Sequence, residues 1–172
     1  MMQFSIRELA TDDVPFLWEM LFYAAHMAKD GDTTTEAAQQ NSFLAQYVAD
    51  WGKAGDRGVV AVETASQQKI EQKIGAAWLR LLTDDKNAVS YVDDHTPELA
   101  IALHPAWTGK GIGTAMLTHL IKDACTQYPA IVLTVRADNP AQHLYERFGF
   151  VTVGEIENRV KTKSLKMLLK FR

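Results

Sequence analysis

The sequence predicts a mixed α/β fold whose sheet carries parallel strands in its middle. Two observations lead there. Apolar runs of strand length alternate with helical periodicities through the second half of the chain, so helices connect consecutive strands. The first half supplies two helical stretches and then two strands around a polar connection. A length of 172 residues suits a single domain over 1–172, and 47% hydrophobic with 23% charged residues is the balance of a globular chain, not a disordered or fibrous one.

Each element follows from local chemistry. Residues 3–8 read as a short strand, and Thr11, Asp12 and Asp13 suit a helix N-terminus. Val14, Phe16, Leu17, Met20, Leu21 and Ala24 then keep helical spacing to about Met27. A second helix is expected over 35–50, with Phe43, Leu44, Tyr47, Val48 and Trp51 as its apolar face. The runs 58–64 (GVVAVET) and 75–82 (GAAWLRLL) read as strands joined through the polar stretch 66–73. A second polar connection, 83–96, leads to 98–103 (ELAIAL), an apolar run between Pro97 and Pro105 and hence a buried strand. A helix over 111–125 follows, with Ile112, Ala115, Met116, Leu120 and Ala124 inward. The strand 131–135 (IVLTV), a short helix over 141–148 and strands over 150–154 and 164–171 complete the order; the lysine-bearing last strand reads as a solvated edge.

Charge and cysteine content exclude several classes. A net charge of −3 argues against a general nucleic-acid-binding role. No run approaches the ~18 apolar residues of a membrane helix, and no secretory signal pattern opens the chain. The single cysteine, Cys125, forms no intrachain disulfide, which favours a reducing compartment and a cytoplasmic location. Residues 1–58 carry nine acids against four bases, and residues 155–172 carry two against six, an asymmetry that fits an ordinary solvated surface and leaves open a role in choosing a charged substrate.

The chemistry concentrates in the turn after the strand 98–103. Gly109-Lys110-Gly111-Ile112-Gly113-Thr114 follows a strand and opens a helix, so its backbone N–H groups and the helix dipole favour an anion, to which Lys110 adds a full charge. A phosphate or pyrophosphate is the natural ligand. The dinucleotide fingerprint fails, because Thr114 or Met116 stands where Gly or Ala is required. The Walker loop fails too, because Gly111 follows Lys110.

About thirty residues on comes Asn139-Pro140-Ala141-Gln142-His143-Leu144-Tyr145-Glu146-Arg147-Phe148-Gly149-Phe150. Together with Leu103-His104-Pro105 and the GKGIG turn, this segment resembles the GNAT superfamily of N-acetyltransferases. The similarity is concentrated in 98–154, while the element order agrees over essentially the whole chain. It implies a mixed, largely antiparallel sheet flanked by helices, whose central parallel strands, 98–103 and 131–135, splay apart. The resemblance departs at Thr108, where the family's turn usually opens with Gln or Arg.

The resemblance implies acetyl-CoA as co-substrate and no metal. The backbone of Ala102 and Leu103 would meet the pantetheine arm, Gly109, Lys110, Gly111, Ile112, Gly113 and Thr114 would hold the pyrophosphate, and Asn139 would hydrogen-bond the arm. An amine acceptor with a pKa near ~10 must lose a proton before it attacks the thioester, and Glu98 is the candidate base. Tyr145 matches the family's general acid, which protonates the leaving thiolate. Attack is direct, so Cys125 has no nucleophilic role.

The first two helices wall the acceptor pocket in this family, which makes Trp18, Tyr23 and His26 candidate substrate-binding residues, with Asp30 and Asp32 as an acidic lining for a cationic amine. The partner is a small-molecule or peptide amine, with no nucleic acid and no membrane, and the protein is a monomer or homodimer. Three other readings stay open: a non-catalytic acyl-CoA-binding module of the same fold, a module using the glycine turn for ATP or NAD, and transfer to an alcohol or from a longer acyl-CoA.

Overall fold

A computed structural model of the protein describes residues 3–64, 71–83 and 90–171. Most of the polar stretch 66–73 and the middle of 83–96 therefore lie outside the described residues. Within them the strands are β1 (Phe4–Glu8), β2 (Arg57–Glu63), β3 (Gln72–Arg80), β4 (Glu98–Leu103), β5 (Ala130–Arg136), β6 (Val151–Glu157) and β7 (Lys163–Lys170). The helices are α1 (Val14–Ala24), α2 (Ala37–Gln40), α3 (Ser42–Ala45), α4 (Ile112–Ala124) and α5 (Ala141–Arg147). One sheet runs in the order β1-β2-β3-β4-β5-β7-β6, antiparallel throughout except between β4 and β5. This is the mixed, largely antiparallel sheet with a central parallel pair that the resemblance implies.

Two-residue alternation along the strands builds a core on each face. Leu99, Ile101 and Leu103 of β4 pack with Ile131, Leu133 and Val135 of β5 and with Ile112, Met116, Leu117 and Leu120 of α4. On the other face, Ala76, Trp78, Ala100 and Ala102 meet Leu17, Met20 and Leu21 of α1. Each such large side chain contributes about 1.5–3 kcal/mol on burial.

Four expectations are corrected. The helix expected over 35–50 breaks into α2 and α3, because Asn41 is extended (φ −92°, ψ 108°) and its side chain accepts from the Leu44 N–H to start the second turn. α1 stops at Ala24 instead of reaching Met27. His26 takes a left-handed conformation (φ 56°), its N–H donates to Tyr23 O, and the N–H of buried Met27 donates to Phe22 O. That is a Schellman ending with histidine in the place usually held by glycine. On α4, Leu117 is buried while Ala115 is only half-buried. Finally, β7 is no edge strand. It lies between β5 and β6 and sends Met167 and Leu169 into the α4-side core, leaving β6 at the edge.

The feature that makes a site is the incomplete β4–β5 pairing. Their one registered pair is Glu98 with Val132, where the Val132 N–H donates to Pro97 O at 3.0 Å. β4 is fully paired to β3 on its other side and β5 to β7, so beyond Glu98 the two strands diverge and leave facing edges open.

Candidate active site

The slot between the diverging strands opens into a cavity of about 650 Å³. Its walls include Leu99 to Leu103 from β4, Leu133 to Arg136 from β5, Tyr23 and His26 from the end of α1, and Tyr145 from α5. The bonds at the two ends of β4 fix which backbone groups face it. Pro97 O points to β5, and the His104 N–H donates to Ile74 O next to β3. By alternation, the N–H and C=O of Leu99, Ile101 and Leu103 face the slot, whereas those of Ala102 face β3. Leu103 therefore turns its backbone pair to the slot. Ala102 lines the cavity with its methyl group only, and Ile101 offers the second open backbone pair.

The glycine turn fits an anion in two respects. Gly109 and Gly111 have φ of 75° and 80°, and no atom lies within 4 Å of where a Cβ would stand at either residue. The first bond into α4 is Ala115 N–H to Gly111 O, so the N–H groups of Ile112, Gly113 and Thr114 have no helical acceptor. The Ile112 side chain is fully buried and offers only its backbone, while Lys110 and Thr114 are exposed. Thr108 donates to Pro105 O at 3.2 Å and also lines the cavity. Among the described residues no cluster of three or more metal-ligating side chains exists.

The turn yields a direct prediction. An L-residue in the left-handed region costs roughly 1–2 kcal/mol. Gly111→Ala should therefore lower Tm by a few degrees, measured by thermal unfolding.

Glu98 sits at the closed end of the slot with 4% of its surface exposed. Its Oε1 accepts from the Tyr47 hydroxyl at 2.9 Å and its Oε2 from the Ser90 hydroxyl. Burial pushes the carboxyl up to about 7; the two hydroxyl donors and the more distant Lys166 ammonium pull the other way. No cation bonds it among the described residues. The Tyr47 hydroxyl is itself held well above the ordinary phenol range, first by burial and then by Glu98.

Tyr145 is 8% exposed and stacks edge-on against Phe150 with centroids 6.0 Å apart. Burial raises its phenol to about 12, and its hydroxyl has no hydrogen-bond partner among the described residues. Asn139 is pinned on both sides. Its Oδ1 accepts from the Ala141 N–H at 2.9 Å, which leaves Nδ2 to meet His26 Nε2 at 3.3 Å. His26 must then be the acceptor, in agreement with its depressed pKa, whose causes are burial and then the Arg136 and Lys29 charges. One Nδ2 hydrogen of Asn139 remains for a ligand.

The α1 side of the cavity has other lining residues than the sequence suggests. Tyr23 and His26 line the cavity, but Trp18 does not; it packs half-buried in the core beneath α1. Asp30 is bound by two arginines and Asp32 is absent from the lining, so neither supplies a free carboxylate there. Tyr47 and Ser90 complete the site without a sequence signal: Tyr47 is 51 residues from Glu98 and keeps the spacing of an apolar helix face, while Ser90 lies in a polar connection with no motif.

A slot between splayed parallel strands, a glycine turn opening a helix and a phenol on the next helix thus come together around one cavity of a mixed α/β fold. The profile of the GNAT acetyltransferase domain matches residues 54–152, more than half of the chain, and the protein belongs to that family. The match runs from just before β2 to the start of β6 and so leaves α1 to α3 outside. The fold is shared with an acetyltransferase-type structure from Salmonella typhimurium solved with acetyl-CoA (TM-score 0.68, 21% identity, 99% of this chain and 95% of that one). It is shared as well with spermidine N-acetyltransferase of Vibrio cholerae in complex with CoA and spermine (TM-score 0.64, 20% identity, 98% and 95%). A cysteine-rich protein 2-binding protein of Mus musculus is 42% identical over 52 residues, which is 30% of this chain but only 6% of that relative.

Proposed function

We propose that this protein, acting as a single domain, transfers acetyl from acetyl-CoA to a primary amine by direct attack on the thioester. The carrying observation is the buried carboxylate of Glu98, held by two hydroxyls at the apex of the slot and pushed up to about 7. A base serves best when its pKa lies near the working pH.

The residues divide the work. The turn 109–114 would hold the pyrophosphate on its free N–H groups, and the slot-facing backbone of Ile101 and Leu103 would pair with the pantetheine arm as an added strand does. Acetyl-CoA, when bound, supplies the activated acyl group. Glu98 takes the proton from the incoming ammonium, directly or through one water. A slot-facing N–H of β4 would polarise the thioester carbonyl. Tyr145, protonated at neutral pH because its phenol lies near 12, gives its proton to the departing thiolate, and the second proton shed by the attacking nitrogen restores the phenol.

The test is thiol release from acetyl-CoA over a panel of primary amines at pH 8. Amine-dependent release with a stoichiometric N-acetyl product supports the reading. Tight acetyl-CoA binding with no release for any amine favours the non-catalytic acyl-CoA-binding module instead. Tyr145→Phe should lower kcat by about 10²-fold while leaving acetyl-CoA affinity within about threefold, since the phenol contributes only when the thiolate leaves.

A further inference from the structure

Three wall elements meet at a single carboxylate on the α1 side of the cavity. Arg136, at the end of β5, donates from Nη1 to Asp30 Oδ1 at 2.9 Å and from Nη2 to Oδ2 at 2.6 Å. Arg159, in the turn between β6 and β7, donates from Nη2 to the same Oδ2 at 2.6 Å. Both Nη2 groups also reach Ala25 O, at 3.3 and 3.2 Å. Asp30 is held well below the usual carboxylate range by this pairing and stays ionised.

Two guanidiniums thus share one carboxylate, leaving one positive charge in surplus. Arg159 carries five N–H donors, and its Nε and Nη1 have no partner among the described residues. The arginine side chains are only 13% and 23% exposed, and both line the cavity. Partly desolvated N–H donors beside a surplus charge, on side chains that line a cavity, are a site for an anionic oxygen group.

The opposite end of the same face holds Glu98. Val132, its registered partner, lies four residues before Arg136, and both side chains are on the α1 side. At ~3.3 Å per residue that separation is about 13 Å along the strand, which the two long side chains shorten. A cavity with a proton acceptor at one end and a guanidinium at the other fits a substrate with an amine at one end and an anion at the other. A surplus of one charge matches a carboxylate better than a phosphate, which carries about −1.5 to −2.

We propose that the acceptor is an amino acid or short peptide whose free carboxylate docks on Arg159 and Arg136 while its amine faces Glu98. This rests on the transferase reading but makes a narrower demand. It also sets this pocket against that of a polyamine enzyme, because a second ammonium would lie beside the uncompensated guanidinium.

Binding separates the two claims. L-amino acids, dipeptides, their C-terminal amides and spermidine are titrated calorimetrically into the CoA-loaded protein, and thiol release from acetyl-CoA is followed with the same set. At least one free acid should bind ten times or more tightly than its amide, and Arg159→Gln should bring that ratio close to one. Asp30 keeps Arg136 in this variant, so the rim stays assembled, and the wild-type ratio stands even if the variant folds poorly. Equal binding of acids and amides, no binding of either, preference for spermidine, or a ratio that survives Arg159→Gln overturns the proposal. Carboxylate-dependent binding without thiol release would retain it and defeat the transferase reading, whereas turnover of spermidine alone would do the reverse.

Discussion

Glu98→Gln should lower kcat/KM for an amine acceptor by about 10²- to 10⁴-fold, the range of a lost general base. The pH profile distinguishes this from a general disturbance. In the wild type, log kcat/KM should rise with slope one below pH 7 and level off from there towards ~10, because the productive state pairs ionised Glu98 with an acceptor ammonium whose proton it takes. In Glu98→Gln the break near 7 should vanish, leaving slope one. Tyr47→Phe removes a donor to the ionised form, so it should move that break upward while sparing most of the maximal rate. Linkage gives an independent sign. A carboxyl raised from 4.5 to about 7 by folding stabilises the protein when protonated, and that contribution is lost as pH rises from about 4.5 through about 7. Above pH 7 the Gln variant should therefore keep or exceed the wild-type stability, by up to about 3 kcal/mol. A variant that is slower and no less stable is the signature of a base held at a cost.

The largest stability effect is expected at Asp56→Ala, about 3–5 kcal/mol, which lowers Tm by roughly 6–20 °C in thermal unfolding. Arg80 is 2% exposed and donates from Nε and Nη2 to Asp56 at 3.1 and 2.8 Å. Its Nη1 donates to Gln46 O and Ala49 O at 3.1 and 2.5 Å, and its guanidinium lies 5.2 Å from the Trp51 ring centre. Asp56 also accepts from the N–H groups of Gly52 and Lys53 at 3.0 and 2.9 Å. Removing it strands a buried guanidinium and frees the loop ahead of β2. Asp56→Leu with Arg80→Met should recover most of the loss, because no charge is then left buried alone. The effect also reaches the site: the segment tied down by Arg80 carries Tyr47, whose carbonyl accepts from Trp78 Nε1 at 3.0 Å. Asp56→Ala should therefore reduce turnover at temperatures well below its Tm.

Sequence and structure agree where local chemistry is demanding. The bounds of β4, the glycine turn, α4 and α5 are legible because each depends on neighbours a few residues away: prolines beside an apolar run, glycines at positive φ, and a 3.6-residue period. Glu98 and Tyr145 are named by the family resemblance as positions within those elements, and both line the cavity. The α1 side of the cavity was not legible. Tyr47 with Glu98, Asp30 with Arg136 and Asp30 with Arg159 are 51, 106 and 129 residues apart, and nothing in local pattern announces such pairs. Asp30 read as a free acid because its arginines lie on distant strands and turns. The helix expected over 35–50 failed for a nearer reason, since one asparagine side chain that bonds the backbone competes with continuing the helix.

Thermal unfolding with saturating acetyl-CoA, beside CoA, ATP and NAD at the same concentration, tests the central claim most directly. Ligand at ~100 times Kd adds about 2.7 kcal/mol, which is roughly 5–10 °C in Tm for a chain of this size. A shift of that order with acetyl-CoA and CoA, and none with ATP or NAD, is the predicted result. Equal shifts with ATP, or no shift with either CoA species, would contradict a donor site in the slot between β4 and β5 and remove the basis for acetyl transfer.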